Sequence, residues 1–233
     1  MKAVITGGTK GIGKALADKF LKEGYDLAIC ARGKTDIEQC VSSWAKTFPN
    51  REVIADICDV SDKKSVDDWA DKILSQWKQV DVLVNNAGVF IPGEILKEED
   101  GALSQMIEIN LYSAYHLTRK IAPSMIAAQK GHIFNMCSVA SIKAYPNGGS
   151  YSISKFALLG MSKVLREELK TTGVKVTAVL PGATWSASWA GVDLPQERLM
   201  QAQDIADSIY GATQLSNSAV VEELIIRPQL GDL

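Results

Sequence analysis

The 233-residue sequence predicts a single α/β domain, with a doubly wound, mostly parallel seven-stranded sheet between two layers of helices. Three observations predict it. Short β-rich runs alternate with longer helical patterns from end to end. Most of those runs are continuously apolar, as in Val82-Leu83-Val84, which fits strands covered on both faces. The connections are short, so parallel neighbours must be joined by right-handed crossovers. No linker, repeat or low-complexity stretch divides residues 1–233.

The strand expectations are 2–6, 26–31, 52–57, 80–85, 131–137, 174–180 and 219–226. Helical patterns fall at 12–23, 36–47, 63–77, 99–129, 151–172 and 202–214. Gly24 stops the first helix, Ser61 is placed to cap the third, and Gly173 stops the fifth. The pattern at 99–129 is long for one helix, and Pro123 predicts a kink near its end. The stretch 181–199 has no helical period until its end. Ligands of open α/β sheets bind beyond the carboxyl ends of the strands, so a loop at about 182–200 is placed to cover a site.

Bulk properties exclude several functions. A formal charge of −2 offers no basic field for nucleic acid and no polybasic patch for a membrane. No apolar run approaches the roughly 20 residues that span a bilayer. Met1-Lys2 leads straight into Ala3–Ile5, so no leader is expected, and the expected location is cytoplasmic. Cys30, Cys40, Cys58 and Cys137 are widely spaced, and His116 and His132 do not complete a ligand set, so neither disulfide nor metal is expected.

The first strand runs into Thr6-Gly7-Gly8-Thr9-Lys10-Gly11-Ile12-Gly13 and then a helix. Glycines at 7, 11 and 13 permit a tight turn and close approach of a pyrophosphate, and the helix N-terminus offers that anion free N–H groups. A plain tight turn would also use glycine, but a Rossmann-type sheet binds its dinucleotide here. Gly7, Thr9, Lys10, Gly11, Ile12 and Gly13 are therefore the cofactor-side candidates. A ribose-binding acid is expected about 20 residues beyond the glycines. Arg32 stands there instead, 19 residues after Gly13, in Cys30-Ala31-Arg32-Gly33-Lys34. Arg32, with Lys10, would clamp a 2′-phosphate, which favours NADP(H) with NAD(H) as the alternative. The competing reading is two solvated surface cations.

Tyr151 and Lys155, in Tyr151-Ser152-Ile153-Ser154-Lys155, share one helix face. A nearby ammonium favours phenolate and would make tyrosine a usable acid–base group near neutral pH. Such pairs are common on inert amphipathic faces. Here Ser138 follows the fifth strand at the same sheet edge, and Asn110 interrupts an apolar helix where it needs buried partners. Ser138 is otherwise a turn hydroxyl, and Asn110 a satisfied structural amide.

The Thr6–Gly13 turn, Asp59-Val60, Asn85-Asn86-Ala87-Gly88, Asn110, Ser138, Tyr151-x-x-x-Lys155 and Pro181-Gly182 stand in the order and spacing of the short-chain dehydrogenase/reductase family, which the chain resembles over nearly its whole length. The resemblance implies an oxidoreductase that moves a hydride between nicotinamide and a carbonyl/alcohol pair. Tyr151 would protonate the carbonyl oxygen and Ser138 would orient it. Lys155 would hold the nicotinamide ribose and depress the tyrosine pKa, and Asn110 would hold a relay water. Asp59 and Val60 would border the adenine, with Asn86, Ala87 and Gly88 by its ribose. Ile12 would lie by the pyrophosphate. Pro181, Gly182 and Thr184 would flank the nicotinamide. Cys137 replaces a common small hydroxyl residue, and Ser186 occupies the place of a frequent threonine, so Thr184 and Ser186 both compete for the carboxamide.

Trp185, Trp189 and Tyr145 would form an apolar wall over a small or medium, fairly apolar ketone or aldehyde, or would simply pack the loop. Lys143, Arg198 and Arg227 read as isolated charges. The resemblance implies a homodimer or homotetramer formed through the long helices at 99–129 and 151–172 and the last strand. A nucleotide-binding regulator or scaffold without turnover is the alternative, against which the full Asn110, Ser138, Tyr151, Lys155 set argues. A nucleotide-sugar epimerase would need a different glycine pattern and a longer C-terminal region.

Overall fold

The computed structural model describes residues 1–185 and 195–231. Seven strands form one sheet in the order β3-β2-β1-β4-β5-β6-β7: β1 (Lys2–Thr6), β2 (Asp26–Ala31), β3 (Val53–Ile57), β4 (Val82–Asn85), β5 (Gly131–Met136), β6 (Val174–Pro181) and β7 (Glu223–Ile226). Every pairing is parallel, so the sheet is fully rather than mostly so. The order reverses between β1 and β4. That switch point is where the carboxyl ends splay and a ligand can enter.

Helices cover both faces: α1 (Gly11–Lys22), α2 (Lys34–Thr47) and α7 (Ala202–Thr213) on one side, α3 (Lys63–Gln76), α5 (Ser113–Ala127) and α6 (Gly149–Leu169) on the other. Strand alternation divides the core between them. Ala3 and Ile5 meet Leu16, Phe20 and Ile205, while Val4 and Leu83 meet Trp69, Ile73 and Ile121. Both faces are dry, which explains the continuous apolar runs.

Helix α1 ends as expected at Gly24, at φ +89°, where the Tyr25 N–H reaches the Phe20 carbonyl at 3.0 Å and that of Gly24 reaches Leu21 at 3.1 Å. The cap of α3 is Asp62 rather than Ser61. Its carboxylate accepts from the N–H groups of Lys64 and Ser65, while Ser61 bonds to Asp59. The long pattern at 99–129 also differs. It consists of α4 (Ala102–Ile107), a π-helical turn (Glu108–Tyr112) and α5, and the irregularity lies at Asn110, since α5 runs through Pro123. The expected strand at 219–226 shortens to Glu223–Ile226, an edge with one neighbour.

The covering loop is closed at its base. Thr184 pairs with Met200, the Trp185 N–H donates to the Met200 carbonyl at 2.8 Å, and that of Met200 donates to Ala183 at 3.1 Å. No helix among the described residues is long and apolar enough to cross a membrane.

Candidate active site

Beyond β1 the chain makes the glycine turn. Gly7 and Gly11 have φ of +68° and +52°, a region that side-chain-bearing residues rarely enter. A Cβ on Gly13 would lie 2.1 Å from the Gly7 carbonyl oxygen and 2.5 Å from Asn86 Nδ2, so only glycine lets α1 start this close. Helix α1 has no side-chain cap and no acid in its first turn. Its N-terminal N–H groups and dipole therefore face outward uncompensated, a cradle that fits a pyrophosphate. Thr9 is buried in the turn, and its carbonyl accepts from the Cys40 thiol.

The turn is tied to the end of β4 by its first residue, Thr6. Thr6 Oγ1 accepts from the N–H groups of Asn86 at 3.0 Å and Ala87 at 2.9 Å. Asn86 Nδ2 donates back to the Thr6 carbonyl at 2.8 Å. Asn86 and Ala87 thus hold the cradle together, whatever else they touch.

Arg32 is exposed beyond β2. Asp59 lies in reach of its field: the Ser61 hydroxyl and N–H hold that carboxyl below the usual range, and the Arg32 charge lowers it further. Val60 is half-buried beside it. Lys10 is committed to an ion pair with Asp36 at 2.7 Å, so of the two expected phosphate-binding cations only Arg32 lacks an ion pair among the described residues.

The four expected catalytic residues converge at the carboxyl edge. Ser138 follows β5, and its hydroxyl accepts from the Ala140 N–H at 3.1 Å while lying close enough to the Tyr151 phenol to favour its charged form. Tyr151 and Lys155 lie on the first two turns of α6. Lys155 is 5% exposed and donates to the Met136 carbonyl at 2.7 Å. Its ammonium lies 5.7 Å from the Tyr151 ring centroid. Burial lowers its pKa to about 8. Burial likewise raises the Tyr151 pKa, against the opposing influence of Ser138. The expected depression of the tyrosine by Lys155 is therefore absent: desolvation wins, because the ammonium is engaged with Met136 rather than the phenol.

Asn110 reaches the site through its π turn. Its Oδ1 accepts from the Val89 N–H at 2.8 Å, and its Nδ2 donates to the Val89 carbonyl at 3.0 Å and to Ser154 Oγ at 2.9 Å. A Cβ on Gly88 would sit 3.2 Å from Asn110 Oδ1 and 3.4 Å from Lys155 Nζ, so the glycine brings both groups against one backbone point. Cys137 is buried and its thiol is pushed up to about 11, which leaves it inert.

Ser138, Tyr151, Lys155, Gly88 and Cys137 line a cavity of about 640 Å³ together with Ile12, Asn86, Pro181, Gly182 and Thr184, while Asn110 is outside the lining and meets it through its bonds to Val89. Thr184 is buried and donates to the Gly182 carbonyl at 3.0 Å, which fixes this segment at the cavity wall. Ser186 and Trp189 lie outside the described residues. Trp185 is not part of the lining. The aromatic wall is instead Tyr145 and the unforeseen Phe90, whose ring meets that of Tyr151 edge-on at a centroid distance of 4.9 Å. Arg198 is not isolated, for it donates to the Gly231 carbonyl at 2.9 Å.

A second unforeseen residue, Glu98, fastens the start of α6. Its carboxylate accepts from the Ser150 N–H at 2.8 Å and from the Ser150 hydroxyl. The Gly93 N–H donates to the Asn147 carbonyl at 3.0 Å beside it.

Comparison with known proteins agrees with this architecture. The chain is 33% identical over 99% of its length, and 97% of the relative's, to a sepiapterin reductase of Chlorobaculum tepidum. A metagenomic short-chain oxidoreductase solved with NADP superposes with a TM-score of 0.85 at 30% identity, covering 98% of this chain and 97% of that one. An alcohol dehydrogenase of the archaeon Thermococcus sibiricus, complexed with 5-hydroxy-NADP, gives 0.89 at 28% identity over 98% and 96%. Residues 1–196 match the short chain dehydrogenase family, and the chain is an oxidoreductase that belongs to it.

Proposed function

We propose that this oxidoreductase interconverts a carbonyl group and a secondary alcohol with NADP(H), using Tyr151 as the acid–base. The observation that carries this reading is that the Tyr151 and Ser138 hydroxyls line the same cavity as buried Lys155 and as Ile12 of the glycine cradle. Two hydroxyls converging on one point suit a carbonyl oxygen, which accepts two hydrogen bonds.

The uncapped start of α1 fits the pyrophosphate, with Gly7, Thr9, Gly11, Ile12 and Gly13 around it. Asp59 and Val60 would border the adenine, Asn86, Ala87 and Gly88 its ribose, and Pro181, Gly182 and Thr184 the nicotinamide. Arg32 would read the 2′-phosphate, and Lys10 would join it by leaving Asp36. The solved relatives bound to NADP or 5-hydroxy-NADP support the cofactor assignment. When bound, NADPH supplies a hydride to the carbonyl carbon.

The chain's own groups handle the proton. With its pKa raised by burial, Tyr151 is a neutral phenol at pH 7 and donates to the developing alkoxide. Ser138 fixes the oxygen at the phenol. Lys155, still mostly protonated at pH 7, holds the nicotinamide ribose and returns a proton toward Tyr151. Asn110 would hold the relay water from the Gly88 side.

Replacing Tyr151 with Phe tests the reading. Carbonyl-dependent NADPH oxidation is expected to vanish while NADPH affinity stays nearly unchanged, and equal activity in both proteins would overturn it. Arg32→Ala is expected to weaken NADPH more than NADH. An unchanged preference would move the 2′-phosphate site elsewhere. Tyr112, Tyr115, Ile153, Phe156 and Val164 are exposed on the π turn, α5 and α6, and we assign a second copy of the chain as their cover. A clean monomer in sedimentation at micromolar concentration would refute that assignment.

A further inference from the structure

We propose that the outer end of the cavity is a carboxylate subsite built around Lys143, so that the substrate is a carbonyl compound bearing an acid group. This rests on the carbonyl–alcohol reading of the same cavity. Two cations line the cavity, Lys155 and Lys143, and no carboxylate lines it among the described residues. Lys155 is buried and donates to the Met136 carbonyl. Lys143 is exposed, and among the described residues its ammonium has no ion-pair partner. Twelve of the nineteen lysines sit in ion pairs among the described residues, and of the seven that do not, Lys143 and buried Lys155 are the two that line this cavity.

Its backbone is held in place. The Lys143 N–H donates to the Val139 carbonyl at 3.1 Å, one turn after Ser138, so the side chain starts from a fixed point on the cavity rim. Tyr145 also lines the cavity, near enough to Tyr151 for that phenol to add to the rise in its pKa. Burial pushes Tyr145 up to about 12, so its hydroxyl remains a donor through the physiological range. The lining therefore offers an ammonium and a phenol, both donors, and it also carries the apolar Val89, Phe90 and Val139. A ligand that matches has a carbonyl at Ser138 and Tyr151, a hydrocarbon middle, and an anionic acceptor at the far end. A carboxylate fits both donors, as it accepts several hydrogen bonds and carries the opposite charge.

The test uses the NADPH-loaded enzyme and matched pairs, 4-oxopentanoate and 5-oxohexanoate each against its methyl ester. An exposed but oriented charge pair sustains a preference of about 3- to 5-fold. Wild type is expected to favour the acids by that factor in kcat/KM. Lys143→Gln is expected to erase the preference, and Lys143→Glu to invert it, with turnover of the esters within about twofold of wild type. Binding of 5-oxohexanoate to the Tyr151→Phe protein loaded with NADP⁺, followed by calorimetry, should weaken by the same factor on Lys143→Gln. Acids and esters turned over alike by wild type, or an acid preference that survives Lys143→Gln, would overturn the subsite. If wild type reduces neither acids nor esters, the reaction itself is misread, and the calorimetric comparison still decides the subsite.

Discussion

Removing the carboxylate of Glu98 should slow the enzyme more than it destabilises it. Glu98→Ala deletes two hydrogen bonds to Ser150 and the negative charge at the start of α6. Loss of a charge-accepting cap costs about 1–2 kcal/mol, and loss of the dipole partner about 0.3–1 kcal/mol. The total is about 2 kcal/mol, or a fall in Tm of about 4–8 °C for a chain of this size. Ser150 immediately precedes Tyr151, so the released turn is the one that aims the phenol at Ser138. A misplacement of about 1 Å at a reacting group costs up to 10²-fold, so kcat should fall about 10- to 100-fold with NADPH affinity unchanged. Glu98→Gln keeps an acceptor for the Ser150 N–H and should stay within about threefold of wild type. The assay is steady-state kinetics well below the Tm of each variant, with cofactor binding measured separately. If Glu98→Ala loses the expected stability but keeps kcat within twofold, α6 is aligned without this carboxylate and the reasoning fails.

Three other outcomes are expected. Gly13→Ala forces a Cβ to 2.1 Å from the Gly7 carbonyl, so NADPH affinity should drop at least 10-fold by fluorescence titration; unchanged affinity would mean the cradle yields freely. Thr177 Oγ1 donates to the Val221 carbonyl and must accept from His132 Nε2, which leaves Nδ1 unprotonated in the neutral ring, and burial lowers that imidazole to about 3. The unfolded chain takes up this proton first, so stability should fall by about 4 kcal/mol between pH 6.5 and 3, and His132→Phe should flatten that part of the denaturation profile. For Lys155 the unfolded state binds more protons between about pH 8 and 10.5, so its contribution to stability rises with pH there, and Lys155→Met should remove the rise in urea denaturation series.

Much of this was legible because burial on both faces writes itself as apolar runs. Six of the seven strands fall within two residues of expectation, and the glycine turn and the Ser138, Tyr151, Lys155 set lie where the sheet edge puts them. The edge strand is shorter than the apolar run that suggests it, since Ala219–Val221 stay outside the ladder and bond to β6 through the Thr177 side chain, which donates to the Val221 carbonyl. Asp62 and Ser61 are adjacent, both competent caps, and only the approach of the chain decides between them. Glu98 was invisible because its partner lies 52 residues away. Phe90 carried a faint signal, as a large apolar residue just past the carboxyl end of β4. The tyrosine environment was misjudged for a different reason: sequence spacing places Lys155 near Tyr151 but says nothing of the Met136 carbonyl that engages it.

The π turn at Glu108–Tyr112 amounts to one residue more than a regular helix needs. Its inverse is a single-codon deletion. Removing one residue there would restore an unbroken ladder of backbone bonds from α4 into α5 and leave the two segments near their present register, yet flatten the bulge that carries Asn110 toward the cavity. Asn110 would swing away from Val89 and Ser154. Such a protein should be at least as helical, and much less active. The surplus residue makes this helix a poorer spring and a better bracket.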